Sequence, residues 1–251
     1  ALLGDYEASI AFFAEALRLA EESHQPYHAA RAASGLVGRY AQVGRDDDYM
    51  DQMKAKAIAH LKAPMGTMTA SSVYGELGWA ALEAGRDEEA REWFETALAG
   101  SSSTRHFEEP SLRLGLALAQ LHAGDKASAV NEVEAASRFL EEKPLPMFKP
   151  VRALVAAAVH GPDDPAGSLA SLTEAAAMSE SLGMRWLTWR IHGARALMLG
   201  RSGSPEAATE AISSAREVIG GIASDIVDDG LRSAFSEHSL SRLAGIASPT
   251  Q

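Results

Sequence analysis

His24 and His28 are four residues apart, a spacing that on a helix would aim two imidazoles at one metal ion. Pro26 between them marks a loop instead, and no third ligand follows nearby, so they read as surface histidines. Asp46-Asp47-Asp48 is a dense acidic run, but it lacks the alternating ligand spacing and the glycine of a calcium loop. Helix capping and compensation of the helix dipole account for it. Trp186 and Trp189, flanked by Arg185 and Arg190, could build a cation–π platform for a ligand, or simply pack between helices. The chain contains no glycine-rich phosphate loop, nucleophile elbow or metalloprotease helix signature. It has no cysteine for a disulfide, a thiolate metal site or a nucleophile. Nothing pairs a nucleophile with a base, so the expectation is a protein without catalytic residues, cofactor or metal.

The elements that carry these residues follow from composition and spacing. Of 251 residues, 46% are hydrophobic and only 6% aromatic, with abundant alanine, which favours helices that approach closely through small side chains. With 23 Lys and Arg against 34 Asp and Glu, the formal charge of -11 argues against nonspecific nucleic-acid binding, which needs clustered cations. No run approaches 18 consecutive apolar residues, and no basic segment precedes an apolar stretch at the start, so neither a membrane span nor a signal peptide is visible. A cytoplasmic location is the expectation. The start at Ala1 rather than Met suggests an excised fragment or processed product.

Glycines at Gly4, Gly44, Gly85, Gly124, Gly161 and Gly203 recur roughly every 40 residues, each between two helical patterns. After Gly85, Ala90 and Ala97 lie seven apart on one face, and Ala129 with Ala136 and Ala208 with Ala215 repeat the offset. After Gly4 it falls on Ser9 and Ala16, and after Gly44 on Tyr49 and Lys56, which are not small. The pattern predicts a helix at 5–22, then pairs near 27–43 and 46–62, 68–84 and 86–99, 107–123 and 125–142, 148–160 and 165–182, and 184–200 and 204–219. Pro26, Pro64, Gly100-Ser101-Ser102-Ser103, Pro144 with Pro146, and Gly161-Pro162 fall where loops are needed. Past Gly220-Gly221 the pattern changes to a short segment and an amphipathic stretch containing Leu240, Leu243 and Ile246.

Gly4-Asp5-Tyr6-Glu7 with Ala16-Leu17, the segment Gly85 to Leu98, and the pairs Leu77-Gly78 and Leu116-Ala117 before the turn glycines resemble the tetratricopeptide repeat family. The resemblance covers about residues 1–225, although the period exceeds the family's usual length of about 34. It implies an all-α solenoid of antiparallel helix pairs in a right-handed superhelix, beginning in mid-repeat. Residues 226–251 would form a capping segment and tail. The end of the chain also resembles the region that follows repeats in large bacterial signalling proteins, where an ATPase links an adenylate-cyclase, kinase or DNA-binding domain to a C-terminal array.

What the resemblance implies for function is docking in a concave groove lined by the first helix of each pair. By register the groove positions are Arg31, Ser34, Trp79, Leu82, Leu114, Leu118, Val151, Val155, Arg190 and Leu197, although an apolar stripe at this spacing is more often core than binding site. First helices carry few acids and second helices many, which the resemblance turns into a neutral-to-basic groove and an acidic back. The acids are either a solvated convex face or a field that steers an acidic protein or peptide partner into the groove. On this reading the chain is the C-terminal interaction region of a bacterial signalling or transcription-regulatory protein. The alternative is an effector-sensing domain that binds a small ligand and regulates an absent ATPase. Reversal of charge at Arg190 is expected to leave stability nearly unchanged. The apolar residues Ile10, Phe12, Phe13, Ala16 and Leu17 of the opening helix predict self-association through that end.

Overall fold

The computed structural model describes residues 5–62, 67–101 and 107–247. The turn at Gly4, the segment Ala1-Leu2-Leu3, Pro64, Ser102-Ser103 and the tail after 247 lie outside the described residues. The described residues form α1 (Tyr6–Glu22), α2 (Pro26–Gln42), α3 (Asp48–Leu61), α4 (Thr67–Glu83), α5 (Asp87–Ser101) and α6 (Glu109–His122). They continue as α7 (Lys126–Glu142), a 3-10 turn (Pro146–Phe148), α8 (Lys149–His160), α9 (Pro165–Ser181), α10 (Arg185–Arg201), α11 (Pro205–Asp225) and α12 (Asp229–Ala247). No strand occurs among the described residues.

The turns show why the chain breaks where it does. At the end of α4, the Arg86 N–H donates to the Ala81 carbonyl at 2.8 Å, and Gly85 takes φ +71° to close that loop. Such a left-handed cap suits glycine because it lacks a Cβ. The same closure recurs as Asp125 to Gln120 at 2.9 Å and Ser204 to Leu199 at 2.9 Å, with Gly124 and Gly203 at positive φ. The following helices start on aspartate caps, Asp125 accepting from the Ser128 N–H at 3.0 Å and Asp164 from the Gly167 N–H at 2.9 Å. Asp47 caps α3 in this way and Asp46 pairs with Arg86 at 2.6 Å, so the acidic run does structural work.

The helices stack in two layers. α2, α4, α6, α8 and α10 pack on one another in series, and each packs against the second helix that follows it. The inner row is buried nearly all round: α2 buries Ala29, Ala30, Ala32, Ala33, Leu36, Val37 and Ala41 together with Ser34, Gly35 and Gly38. Outer helices bury one stripe built on the alanine spacing; Ala90, Ala97, Ala129, Ala136 and Ala215 are inaccessible to solvent. Phe94 of α5 fills the gap between consecutive inner helices, where a Cβ at Gly78 would come within 2.8 Å of its ring and one at Gly115 closer still.

Two expectations change. In the second unit Tyr49 and Lys56 are exposed, and Met50 and Ala57 take the buried positions, because the longer turn after Gly44 shifts the helix phase by one residue. And α11 runs through Gly220-Gly221 to Asp225, since Ile219 and Ile222 continue its buried face. That burial outweighs a glycine cost of roughly 1 kcal/mol each. The outer acids are not simply solvated. Several acids meet a basic side chain about one repeat away, as in Lys56–Glu21 at 2.8 Å, His122–Asp87 at 2.7 Å and, at a turn, Lys126–Asp163 at 2.5 Å.

Candidate functional site on the concave face

The concave face divides into an open recess and a part closed by the chain itself. The recess, about 260 Å³, lies between α1, α2, α4 and α6. Phe13, Trp79, Phe107 and Phe148 bring four rings to its walls, and Arg31, Glu76 and Glu108 bring charge. Phe13 reaches the inner row because Gly35 has no side chain; a Cβ there would sit 2.6 Å from its ring. The Trp79 Nε1–H donates to Ser111 Oγ at 3.1 Å and Ser34 Oγ donates to the Arg31 carbonyl at 3.1 Å. Ser72 Oγ donates to the Glu108 carboxylate, and Glu76 pairs with Arg39 at 3.3 Å. Arg31 is exposed and makes no ion pair among the described residues.

Of the residues expected in the groove, Arg31, Ser34 and Trp79 are brought together here. Leu82, Leu114, Val151 and Val155 are instead core: Leu82 packs with Phe94, and the other three belong to the cluster of α6 to α10. Inner helices are sandwiched on both sides, so most of their apolar stripe is consumed by stacking. Leu118 is half-buried against these clusters. Leu197 is half-buried and lines a separate recess of about 490 Å³ between α10 and α11.

Arg190 does point inward, but it is committed. It is 9% exposed, lies over the Trp189 ring at 4.3 Å and the Trp186 ring at 5.7 Å, and pairs with Glu83 at 2.8 Å across 107 residues of sequence. The tryptophan pair therefore serves an internal arginine. Charge reversal at Arg190 would set two carboxylates face to face in a buried position, which overturns the expectation of unchanged stability.

Sequence reasoning missed Glu83. Its carboxylate, at the C-terminus of α4, also faces Arg242 at 3.2 Å and His238 Nε2 at 3.5 Å. Burial opposes its ionisation, but Arg190, helped by His238 and Arg242, outweighs that and holds the carboxyl far below the usual carboxylate range. A signal was present: an acid in the last turn of a helix meets the negative end of the dipole and asks for a cation nearby. Tyr6 sits in the same region, its ring centroid 5.3 Å from that of Phe235, and burial raises its hydroxyl above its ordinary value.

His238, Arg242 and Phe235 all belong to α12, which packs on α10 and α11 as the next member of the inner row and then reaches across to the first units. Its His238 lies where a Cβ on Gly44 would collide, and Arg242 also donates to the Glu83 carbonyl at 3.1 Å. Just before it, the Val227 N–H donates to the Glu7 carboxylate at 2.7 Å, joining positions 220 residues apart. The last helix thus closes part of the groove against the first.

Among the described residues no cluster of three metal-ligating side chains exists, and no helix is long and apolar enough to cross a membrane. Residues 1–23 and 71–99 match the family model of the tetratricopeptide repeat. No curated protein matches the chain by sequence. Among solved structures it is similar to one described as the crystal structure of BtubC (BKLC) from P. vanneervenii, with a TM-score of 0.59, 16% identity, and coverage of 86% of this chain and 92% of that one. At that identity the likeness concerns the fold alone. Two segments of the chain therefore carry the signature of the tetratricopeptide repeat, within an all-helical solenoid.

Proposed function

We propose that the chain is a protein-interaction domain that docks a segment of a partner protein in the open recess of its concave face. The observation that carries this reading is the convergence of four aromatic rings and an unpaired Arg31 on one recess between α1, α2, α4 and α6. Tetratricopeptide repeats generally mediate protein–protein contacts, and aromatic and arginine side chains dominate the energetics of such contacts. A partner segment would place an apolar side chain among the rings and a carboxylate on Arg31. Arg39 offsets the charge of Glu76, and Ser72 hydrogen-bonds Glu108 without neutralising it, so the acidic character of the partner rests on direct contact with Arg31. The chain acts without catalysis, as the C-terminal interaction region of a cytoplasmic bacterial signalling or transcription-regulatory protein.

Selection from a peptide display library tests this. Selected peptides should carry an acidic residue beside an apolar one, lose binding with Arg31→Glu or the recess-filling Ser72→Trp, and keep it with Glu92→Arg on the outer layer. Peptides that bind all three variants equally would overturn the assignment. On the alternative reading, a small effector added alone, with no peptide present, would raise the melting temperature in a concentration-dependent way.

A further inference from the structure

The closed part of the concave face carries a second inference, independent of the open recess. A helix that merely caps a solenoid needs to cover the last pair of the array. α12 does this through Leu243 and Ile246, whose side chains lie against Gly193 of α10. It goes further. Phe235 packs on Tyr6 of α1, His238 on the turn at Gly44, and Arg242 on Glu83 of α4. These contacts bring nothing to the end of the array. They are the contacts of a ligand lying in a groove.

The docked face of α12 reads Phe235, Ser239, Arg242, Leu243 and Ile246, a helical stripe of apolar residues with one basic residue two turns after the aromatic one. The surface beneath it has matching chemistry: an apolar floor of Tyr6, Val43 and Trp189 beside the buried Glu83 carboxylate. α12 fits this surface incompletely. The Trp189 Nε1–H and the Ser239 hydroxyl are buried there, 1% and 0% exposed as residues, with no hydrogen-bond partner among the described residues. Buried polar groups left unpaired lower the stability of the docked state. Arg242 is also among the more exposed members of the cluster, its side chain at 38%.

We propose that this surface is a helix-docking site which α12 occupies in cis, and that its partner in trans is an amphipathic helix of the same chemistry: an aromatic residue followed two turns later by an arginine or lysine for Glu83. A partner helix that accepts from the unpaired Trp189 Nε1–H would displace α12 and expose its apolar stripe.

The test uses the full chain and, as probe, a fluorescein-labelled peptide of residues 226–247. Arg242→Glu in the chain weakens the cis helix but leaves Glu83 and the floor in place. The labelled peptide should bind this variant about tenfold more tightly than the wild type, the change expected from losing one charged hydrogen bond. The same peptide carrying Arg242→Glu should lose binding. Equal binding of the wild-type peptide to both chains, or to neither, while far-UV circular dichroism shows Arg242→Glu fully helical, would overturn the proposal. If that variant loses helix, hydrogen exchange on the wild type decides: α12 amides should exchange well ahead of those of α10, and exchange in step with α10 would overturn it. A wild-type dimer with α12 exchanged between copies would show that the occupant is a second copy and overturn the partner assignment.

Discussion

Glu83→Gln removes a buried carboxylate that three basic side chains share. The Glu83 and Arg190 side chains are 12% and 11% exposed, so the substitution leaves a guanidinium in a nearly dry site facing a neutral amide oxygen and the Trp186 carbonyl, with no counter-charge from residue 83. Breaking a buried pair from one side costs about 3–5 kcal/mol. For a chain of this size each kcal/mol lowers the melting temperature by roughly 2–4 °C, which gives an expected fall of about 6–20 °C. Circular dichroism at 222 nm reports the global transition. Replacing both partners, Glu83→Leu with Arg190→Met, should recover part of the loss, because the most buried cation no longer lacks a counter-charge while Arg242, its side chain 38% exposed, can turn to water. The dependence on pH has a defined sign. Glu83 ionises far below the unfolded-chain value of about 4.3, so its contribution is complete above that pH and declines as the pH falls beneath it. The wild type should therefore lose stability more steeply than Glu83→Gln as the pH drops below about 4. A Glu83→Gln chain within about 1 kcal/mol of wild type, or a double variant that simply adds the two single losses, would refute the account of a buried, shared carboxylate.

Phe94→Ala should cost about 3–5 kcal/mol, since the ring is fully buried between two inner helices and neither neighbour can collapse onto the space; urea denaturation measures it. Gly115→Ala should cost about 1–3 kcal/mol by forcing a methyl group into that same ring, and combining it with Phe94→Leu should recover part of the loss. Asp125→Ala should lower stability by about 1 kcal/mol through loss of the cap on the Ser128 N–H, and Asp125→Asn should restore most of it. Phe12, 68% exposed, and Leu19, 48% exposed, share one face of α1, so the wild type should self-associate at high concentration and Phe12→Glu should not. Sedimentation velocity checks this, and a strictly monomeric wild type would show that this face does not drive association.

Most of the helices could be read from the sequence because each is a local object. A turn glycine, an aspartate cap and an apolar face at helical spacing lie within one or two turns of the bond they control, and Gly85, Asp125 and the Ala90–Ala97 pair act in the structure as their spacing suggests. Local phase still misled where a turn was longer, as after Gly44, and where burial sustained a helix through two glycines, as in α11. The candidate site was less legible. Arg31, Ser34 and Trp79 share the open recess as the repeat register suggests, while Leu114 and Val155, at equivalent positions, are sealed in the core. Which of these outcomes holds depends on how far neighbouring helices lean together, a property of the stack and not of any one unit. Glu83 and α12 show the limit most clearly. The rotation between successive repeats accumulates along the array, and only its sum brings Arg190 onto Glu83 across 107 residues and Val227 onto Glu7 across 220. No window of sequence contains that sum, so the helices belong to the sequence and the closure of the groove to the tertiary structure.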